Sequence, residues 1–171
     1  MMILDGILQM QKHLKQIGGI KMALKEIKTG YFAKTKVYSD NGYKPYSISR
    51  ITPKGCKCGE IKDLAPSWEL LKEYKNGMIT SGDYTSKYWQ MLSSKDVEIL
   101  LKEKLITLTP EEKGIVLLCY EKNPEDCHRS ILASYCNQKF NMKIEEYDLQ
   151  KDKEINKDED KDEYEQIELD L

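Results

Sequence analysis

The chain has 171 residues, the length of one compact domain with an appendage rather than of two full domains. Hydrophobic residues make up 40% of it, enough for a core that needs no metal or disulfide staple, while 33% charge exceeds the usual level of about a quarter and implies that charge is segregated. No stretch approaches the roughly 20 apolar residues that cross a bilayer, and no apolar run ending in a small-residue cleavage site opens the chain, so a soluble, cytoplasmic protein without a membrane partner is expected.

The net charge of −2 divides unevenly. Residues 151–171 hold ten Asp or Glu and four Lys, a net of −6, which leaves 23 basic and 19 acidic residues, a net of +4, in residues 1–150. The tail has too few apolar residues to offset the entropy of ordering, so it is expected to be a disordered acidic appendage. The mildly basic body permits a phosphate-bearing ligand but lacks the dense basic face of a dedicated nucleic-acid binder. The five cysteines, Cys56, Cys58, Cys119, Cys127 and Cys136, are odd in number and come with no secretion signal, so reduced thiols are expected.

Taken in chain order, Ile3, Leu4, Ile7, Leu8, Leu14 and Ile17 recur at helical spacing, and Gly18-Gly19 ends the pattern. Lys25 to Thr29 reads as a short strand and Tyr31 to Ser39 as a short helix, stopped by Asp40-Asn41-Gly42. Pro45 to Ile51 alternates β-branched and aromatic residues as a strand does. Thr52 to Pro66, rich in Gly, Lys and Pro, reads as a long loop, and long loops in compact domains are often functional. Pro66-Ser67 opens a helix through Tyr74 that Asn76-Gly77 stops, and a second helix runs from about Asp83 to Leu92. Ser93 or Ser94 caps a third, with Val97, Leu100, Leu101 and Leu105 on one face.

Gly114 to Glu121 is a continuous apolar run of the kind buried on both faces of a parallel sheet, so it is assigned as the central strand. Asn123-Pro124-Glu125-Asp126 supplies a cap, a first-turn proline and two acids for a helix from about Pro124 to Lys139. Met142 to Leu149 completes the set as a final strand. Strands separated by helices give an α/β class: a small single-domain layered fold with a mostly parallel sheet flanked by helices, and ligands beyond the carboxyl ends of the strands. The domain is assigned to residues 20–150, behind an N-terminal helical extension at 1–19 and ahead of the acidic tail at 151–171.

One segment concentrates the chemistry. Glu121 finishes the central strand, and Cys127-His128-Arg129 opens the next helix, where free backbone N–H groups and the positive helix end favour anions. Cys127 is the candidate nucleophile, its thiol pKa lowered from about 8.5 by that environment. His128 is the candidate proton relay and Glu121 the carboxylate that orients a partner or a substrate hydroxyl, while Arg129 offers a planar fork for a phosphate or carboxylate. Consecutive helical residues diverge by about a hundred degrees, so the three reach one pocket only if the helix starts late and the loop wraps. The competing structural reading packs Cys127 as a small hydrophobe, with His128 and Arg129 as capping groups.

Arg50, at the end of its strand, is a second anion clamp or a surface arginine paired to a carboxylate. Cys119, inside the apolar run, is read as core, and so is Cys136 on the far side of the helix. Cys56-x-Cys58 offers two zinc ligands that Cys127 or His128 could complete, although one intervening residue is fewer than structural zinc pairs use. Tyr84, Tyr88 and Trp89 serve as packing or as a base-stacking platform. There is no phosphate-cradling or dinucleotide glycine motif, and no cofactor is expected.

Leu117-Leu118-Cys119-Tyr120-Glu121-Lys122 followed by Cys127-His128-Arg129 resembles the C-terminal signature of the bacterial and phage family called domain of unknown function 488. Tyr31-Phe32-Ala33, Ile48-Ser49-Arg50, Leu64-Ala65-Pro66-Ser67 and Tyr84 are similar to its earlier motifs and stand in the same order, so the resemblance spans about residues 25–138. It implies a small α/β domain whose motif residues converge on a pocket, which brings Tyr31 and Ser49 beside Arg50 and Arg129 as ligand-binding candidates. The first helix and Cys56-Lys57-Cys58 fall outside the resemblance, and the family is uncharacterised.

Two function classes follow. The first is an enzyme-like pocket for a small anionic ligand, a nucleotide or nucleic-acid component among them. The second is a non-catalytic binding or regulatory module stabilised by zinc.

Overall fold

The computed structural model describes residues 25–125 and 127–150. The expected helix over Ile3 to Ile17 and the acidic tail from Lys151 lie outside the described residues. Five strands form one sheet: β1 (Glu26–Tyr31), β2 (Tyr43–Ser47), β3 (Gly59–Glu60), β4 (Gly114–Cys119) and β5 (Glu145–Glu146). Their order is β3-β2-β4-β1-β5, and every neighbouring pair is parallel. The helices are α1 (Thr35–Asp40), α2 (Trp68–Lys75), α3 (Ser81–Ser93), α4 (Val97–Ile106) and α5 (His128–Phe140), with 3-10 turns at Phe32–Lys34 and Lys62–Leu64. This is an α/β fold with a parallel sheet, and none of its described helices is long and apolar enough to cross a membrane.

β4 is central because nothing in Gly114-Ile115-Val116-Leu117-Leu118-Cys119 needs water: all six residues are buried. The period-two alternation of a strand sends Ile115 and Leu117 to the face packed by α3, α4 and α5, with Tyr88, Leu92, Leu101, Leu132 and Cys136. Val116 and Leu118 point to the other face, under Tyr38 and Tyr43. Burying side chains of this size contributes about 1.5–3 kcal/mol each, so the sheet is ordered around this strand.

Two glycines are dictated by geometry. A Cβ on Gly30 would stand 2.5 Å from the Tyr38 hydroxyl, which lies over β1 and accepts a hydrogen bond from the Tyr31 backbone N–H at 3.2 Å. Gly42 takes φ +84° in the turn from α1 to β2, the left-handed region that glycine enters without strain.

Several boundaries differ from the sequence expectation. β1 runs on to Tyr31, so the following helix begins with a 3-10 turn. The loop over Thr52 to Pro66 contains the edge strand β3, because Ile61 N–H donates to Ser47 O at 2.8 Å and holds the returning chain against β2. α2 is capped by Ser67 Oγ, which accepts from Leu70 N–H at 3.1 Å. α3 starts at Ser81 because Thr80 and Asp83 form a reciprocal capping box. Ser94 closes α3 instead of opening α4, whose N-cap is Asp96. The final strand shrinks to Glu145–Glu146 at the sheet edge beside β1.

The correction that matters for function concerns α5. Asn123 Oδ1 accepts from Glu125 N–H at 3.3 Å, and Cys127 N–H donates to Pro124 O at 3.1 Å, so the expected cap and first turn form a separate tight turn. The helix begins only at His128, with Cys127 as an extended N-cap at φ −109° and ψ 139°.

Candidate functional site

The carboxyl end of β4 meets the start of α5, and the late start of that helix sets three neighbouring side chains on three tasks. The extended Cys127 turns its sulfur toward Glu121, 3.2 Å from Oε2. His128 directs Nδ1 to Cys119 Sγ at 3.3 Å and Nε2 to the Ile48 carbonyl at 3.0 Å. A carbonyl oxygen only accepts, so Nε2 carries the hydrogen there and Nδ1 is the atom offered to the sulfurs. Cys119 Sγ lies 2.8 Å from the same Glu121 oxygen. The result is a compact group of two sulfurs, one imidazole nitrogen and one carboxylate, whose ligand atoms all lie within 4.8 Å of one another.

The sulfurs are sheltered and the carboxylate is not. Cys119 and Cys127 are each 1% exposed and His128 is 8% exposed, whereas Glu121 faces solvent. Their surroundings split the two thiols. A hydrogen bond from Cys119, together with contacts from His128 and the Arg129 backbone N–H, outweighs burial and lowers the Cys127 thiol to about 6. Cys119 moves the opposite way, far above an ordinary thiol, through that same bond, burial and the Glu121 charge. Burial pushes the Glu121 carboxyl up, but hydrogen bonds from Cys119, its own backbone N–H and Cys127 hold it below the usual carboxylate range.

Arg129 is fully buried, and its guanidinium contacts the Cys127 sulfur as well as Glu146. Its Nε and Nη2 each stand 3.0 Å from an oxygen of Glu146 on β5, Nη1 donates to the Glu121 carbonyl, and Nη2 also donates to the Lys122 carbonyl at 3.0 Å. The fork therefore ties the end of β4 to the edge strand. Arg50 is engaged in the same manner, with Nε 2.6 Å from Pro66 O and Nη2 2.8 Å from Ala65 O, at the entry to α2. Tyr31 pairs with Cys119 across β1 and β4, and its ring sits 5.6 Å from Lys34 Nζ. Ser49 follows the carbonyl that holds His128, and its buried hydroxyl has no hydrogen-bond partner among the described residues.

Cys119 is the residue that the sequence reading put in the core and the structure puts in the site. It is the last residue of β4, so its side chain meets the helix start instead of the apolar layer. Tyr88 was also missed as a support: its ring stands edge-on to His128 at 6.0 Å and its hydroxyl donates to Leu64 O at 2.6 Å. Tyr84 stacks on Tyr74 at 4.6 Å, and burial followed by the charges of Cys127, Cys119 and Glu121 pushes its hydroxyl well up. Trp89 packs edge-on against Tyr135, so the aromatic helix is built by packing. Cys136 is core, with its thiol raised to about 12 by burial. Cys56 and Cys58 stand with their sulfurs 2.8 Å apart and lie outside the four-residue group. Only the i, i+2 spacing of Cys119 and Glu121 on a strand signalled that both would face one side.

A family model, DUF488-N3a, described as the active DUF488-N3 subclade, matches residues 42–140, more than half of the chain. The chain belongs to the DUF488 family. No curated protein and no solved structure matches it. The DUF488 match takes in Ser49, Arg50, Cys119, Glu121, Cys127, His128 and Arg129, and leaves Tyr31 and Glu146 outside.

Proposed function

We propose that this DUF488 domain is a thiol-based enzyme acting on a small anionic, phosphate-bearing ligand, with Cys127 as the reacting sulfur and a nucleotide or nucleic-acid component as the ligand class. The observation that carries the reading is the placement of Cys127 Sγ at the N-cap of a 13-residue helix, in hydrogen-bond contact with Glu121 and beside Cys119 and His128. As a thiol, Cys127 points its hydrogen at Glu121. As a thiolate, it accepts from Cys119 and from the Arg129 backbone N–H. A nucleophile with an adjacent acceptor and a fixed imidazole is the arrangement that covalent catalysis needs. His128 is oriented by the Ile48 carbonyl, and Glu121, the exposed member, covers the two sulfurs on the solvent side.

The anion preference follows from the helix end, where the N-terminal partial charge of α5 favours a negative group. With Arg129 and Arg50 bound to carbonyls and Glu146, they act in this reading as struts that brace the segments around the sulfurs and supply fixed positive charge. Ser49 contributes a hydroxyl free to meet the ligand.

Site-resolved iodoacetamide labelling of chelator-treated protein tests this. Cys127 is expected to be alkylated faster than Cys136 and than a free thiol, and nucleoside monophosphates are expected to slow its labelling. Labelling of Cys127 no faster than that of the core thiol Cys136 would overturn the reading.

A further inference from the structure

A metal-binding group can be judged on four counts: donor type, donor spacing, ligand orientation and closure. Cys119, Glu121, Cys127 and His128 present two sulfurs, an imidazole nitrogen and a carboxylate oxygen, a set that zinc takes and that does not suit magnesium or calcium, which prefer all-oxygen sites. A tetrahedral ion with metal–sulfur bonds of about 2.3 Å and metal–nitrogen or metal–oxygen bonds of about 2.0–2.2 Å sets its donors roughly 3.3–3.8 Å apart. The pairs here stand at 2.8, 3.2 and 3.3 Å, and no separation in the group exceeds 4.8 Å. Changes of about an ångström or less in these separations bring the four donors to tetrahedral spacing.

The orientation of His128 is the second observation. Metal-bound histidines almost always donate their other ring N–H to a carbonyl or carboxylate, which fixes the ring and raises the basicity of the ligating nitrogen. Ile48 O fills that place at 3.0 Å from Nε2, and the Tyr88 ring at 6.0 Å holds the imidazole from the side. Nδ1 is thereby aimed at the sulfurs before any ion arrives. Both sulfurs are buried and meet Glu121, His128 and each other, contacts that an ion would replace.

We infer that Cys119 Sγ, Glu121 Oε2, Cys127 Sγ and His128 Nδ1 bind one divalent cation of the zinc class, and that its occupancy silences the Cys127 thiol. Binding breaks the S–H bonds, releases the protons to solvent and forms metal–sulfur bonds, with no change of oxidation state. Four protein donors close a tetrahedral ion and leave no position for substrate, so the filled site is an off state and not a catalytic metal. The silencing half of the inference rests on Cys127 being the reactive thiol; the binding half does not.

Titration of the full-length, chelator-treated chain with Co2+ and then Zn2+ tests it. One equivalent of Co2+ is expected to give the sulfur charge-transfer and tetrahedral ligand-field bands, and Zn2+ is expected to displace it. Cys119→Ser and Cys127→Ser are each expected to weaken binding at least tenfold, while Cys56→Ser/Cys58→Ser leaves it unchanged. Because a cysteine variant of a buried pair can misfold, Glu121→Gln at the exposed ligand supplies a second arm and is expected to weaken binding while the melting curve stays cooperative. Zn2+ is expected to protect Cys127 from iodoacetamide in the unmutated chain. The inference is overturned if no such spectrum appears, if it survives loss of Cys119 and Cys127, or if it follows Cys56 and Cys58. Alkylation of the metal-free chain reads the enzyme proposal separately, so slow labelling there with intact Co2+ binding removes the thiol reading alone.

Discussion

Arg129 and Glu146 face each other fork to fork across α5 and β5, with Nε and Nη2 each 3.0 Å from a carboxylate oxygen. Thr29 on β1 donates to the same carboxylate at 2.6 Å, so this pair fastens the edge of the sheet to the start of the helix that carries Cys127. The arginine is fully buried and the carboxylate partly exposed. Removing Glu146 leaves a buried cation with two carbonyls and the Cys127 sulfur as its partners, which costs on the order of 2–4 kcal/mol once solvent screening of the exposed carboxylate is counted. Urea unfolding of Glu146→Ala and Arg129→Lys is expected to show losses of that size, since lysine cannot make the paired contact. An Arg129→Lys variant within about 1 kcal/mol of the parent would mean that the fork is not what holds the edge.

Ser49 makes the opposite prediction. A buried hydroxyl without a partner costs about 1–3 kcal/mol, and Ser49 Oγ has none among the described residues. Ser49→Ala is expected to raise the stability of the free protein by about 1 kcal/mol while weakening the protection that nucleoside monophosphates give to Cys127. A destabilised alanine variant, measured by the same unfolding curves, would show that the hydroxyl is satisfied in solution.

Tyr38 gives the fold an alkaline limit. Burial raises its hydroxyl to about 12, with the nearby Glu146 charge adding and the Tyr31 backbone N–H and Arg129 opposing. In the unfolded chain a tyrosine titrates near 10. The folded pKa is the higher one, so the unfolded state releases its proton first: the contribution is fully present below about pH 10 and is lost as pH rises toward 12. At pH 11 this group alone should cost about 1.4 kcal/mol. Stability measured at pH 8 and pH 11 is expected to fall less in Tyr38→Phe than in the parent by that amount. Tyr84, Tyr88 and Cys136, also raised by burial, keep the remaining slope. Equal slopes in the two proteins would show that Tyr38 is not buried as described.

The α/β class, the central place of the Gly114 to Glu121 strand and the family signature were legible because each rests on local pattern. An uninterrupted apolar run bounded by turn residues suits a strand covered on both faces, and β4 is that strand. The turn at Asp40-Asn41-Gly42 and the cap at Ser67 were equally readable, since turn and cap chemistry lies within four residues. The start of α5 was not. Asn123-Pro124-Glu125-Asp126 carries every local cue for a helix N-terminus, yet Asn123, Pro124 and Glu125 go into a separate turn and the helix begins after Cys127.

That delay of four residues decided the site. Residue order alone made Cys127, His128 and Arg129 diverge around a helix; an extended Cys127 turns its sulfur back to Glu121 and Cys119, while Arg129 turns to Glu146. The composition and periodicity of the chain determined which segments are strands and which thiols lie near a strand end, because those depend on neighbours in sequence. Which guanidinium is a strut, which cysteine leaves the core for the cluster and which carbonyl orients the histidine depend on Glu146, Ile48 and the β2–β4 register, partners separated by as many as 80 residues. Contacts at that range are selected by packing of the whole sheet, so only the tertiary structure could supply them.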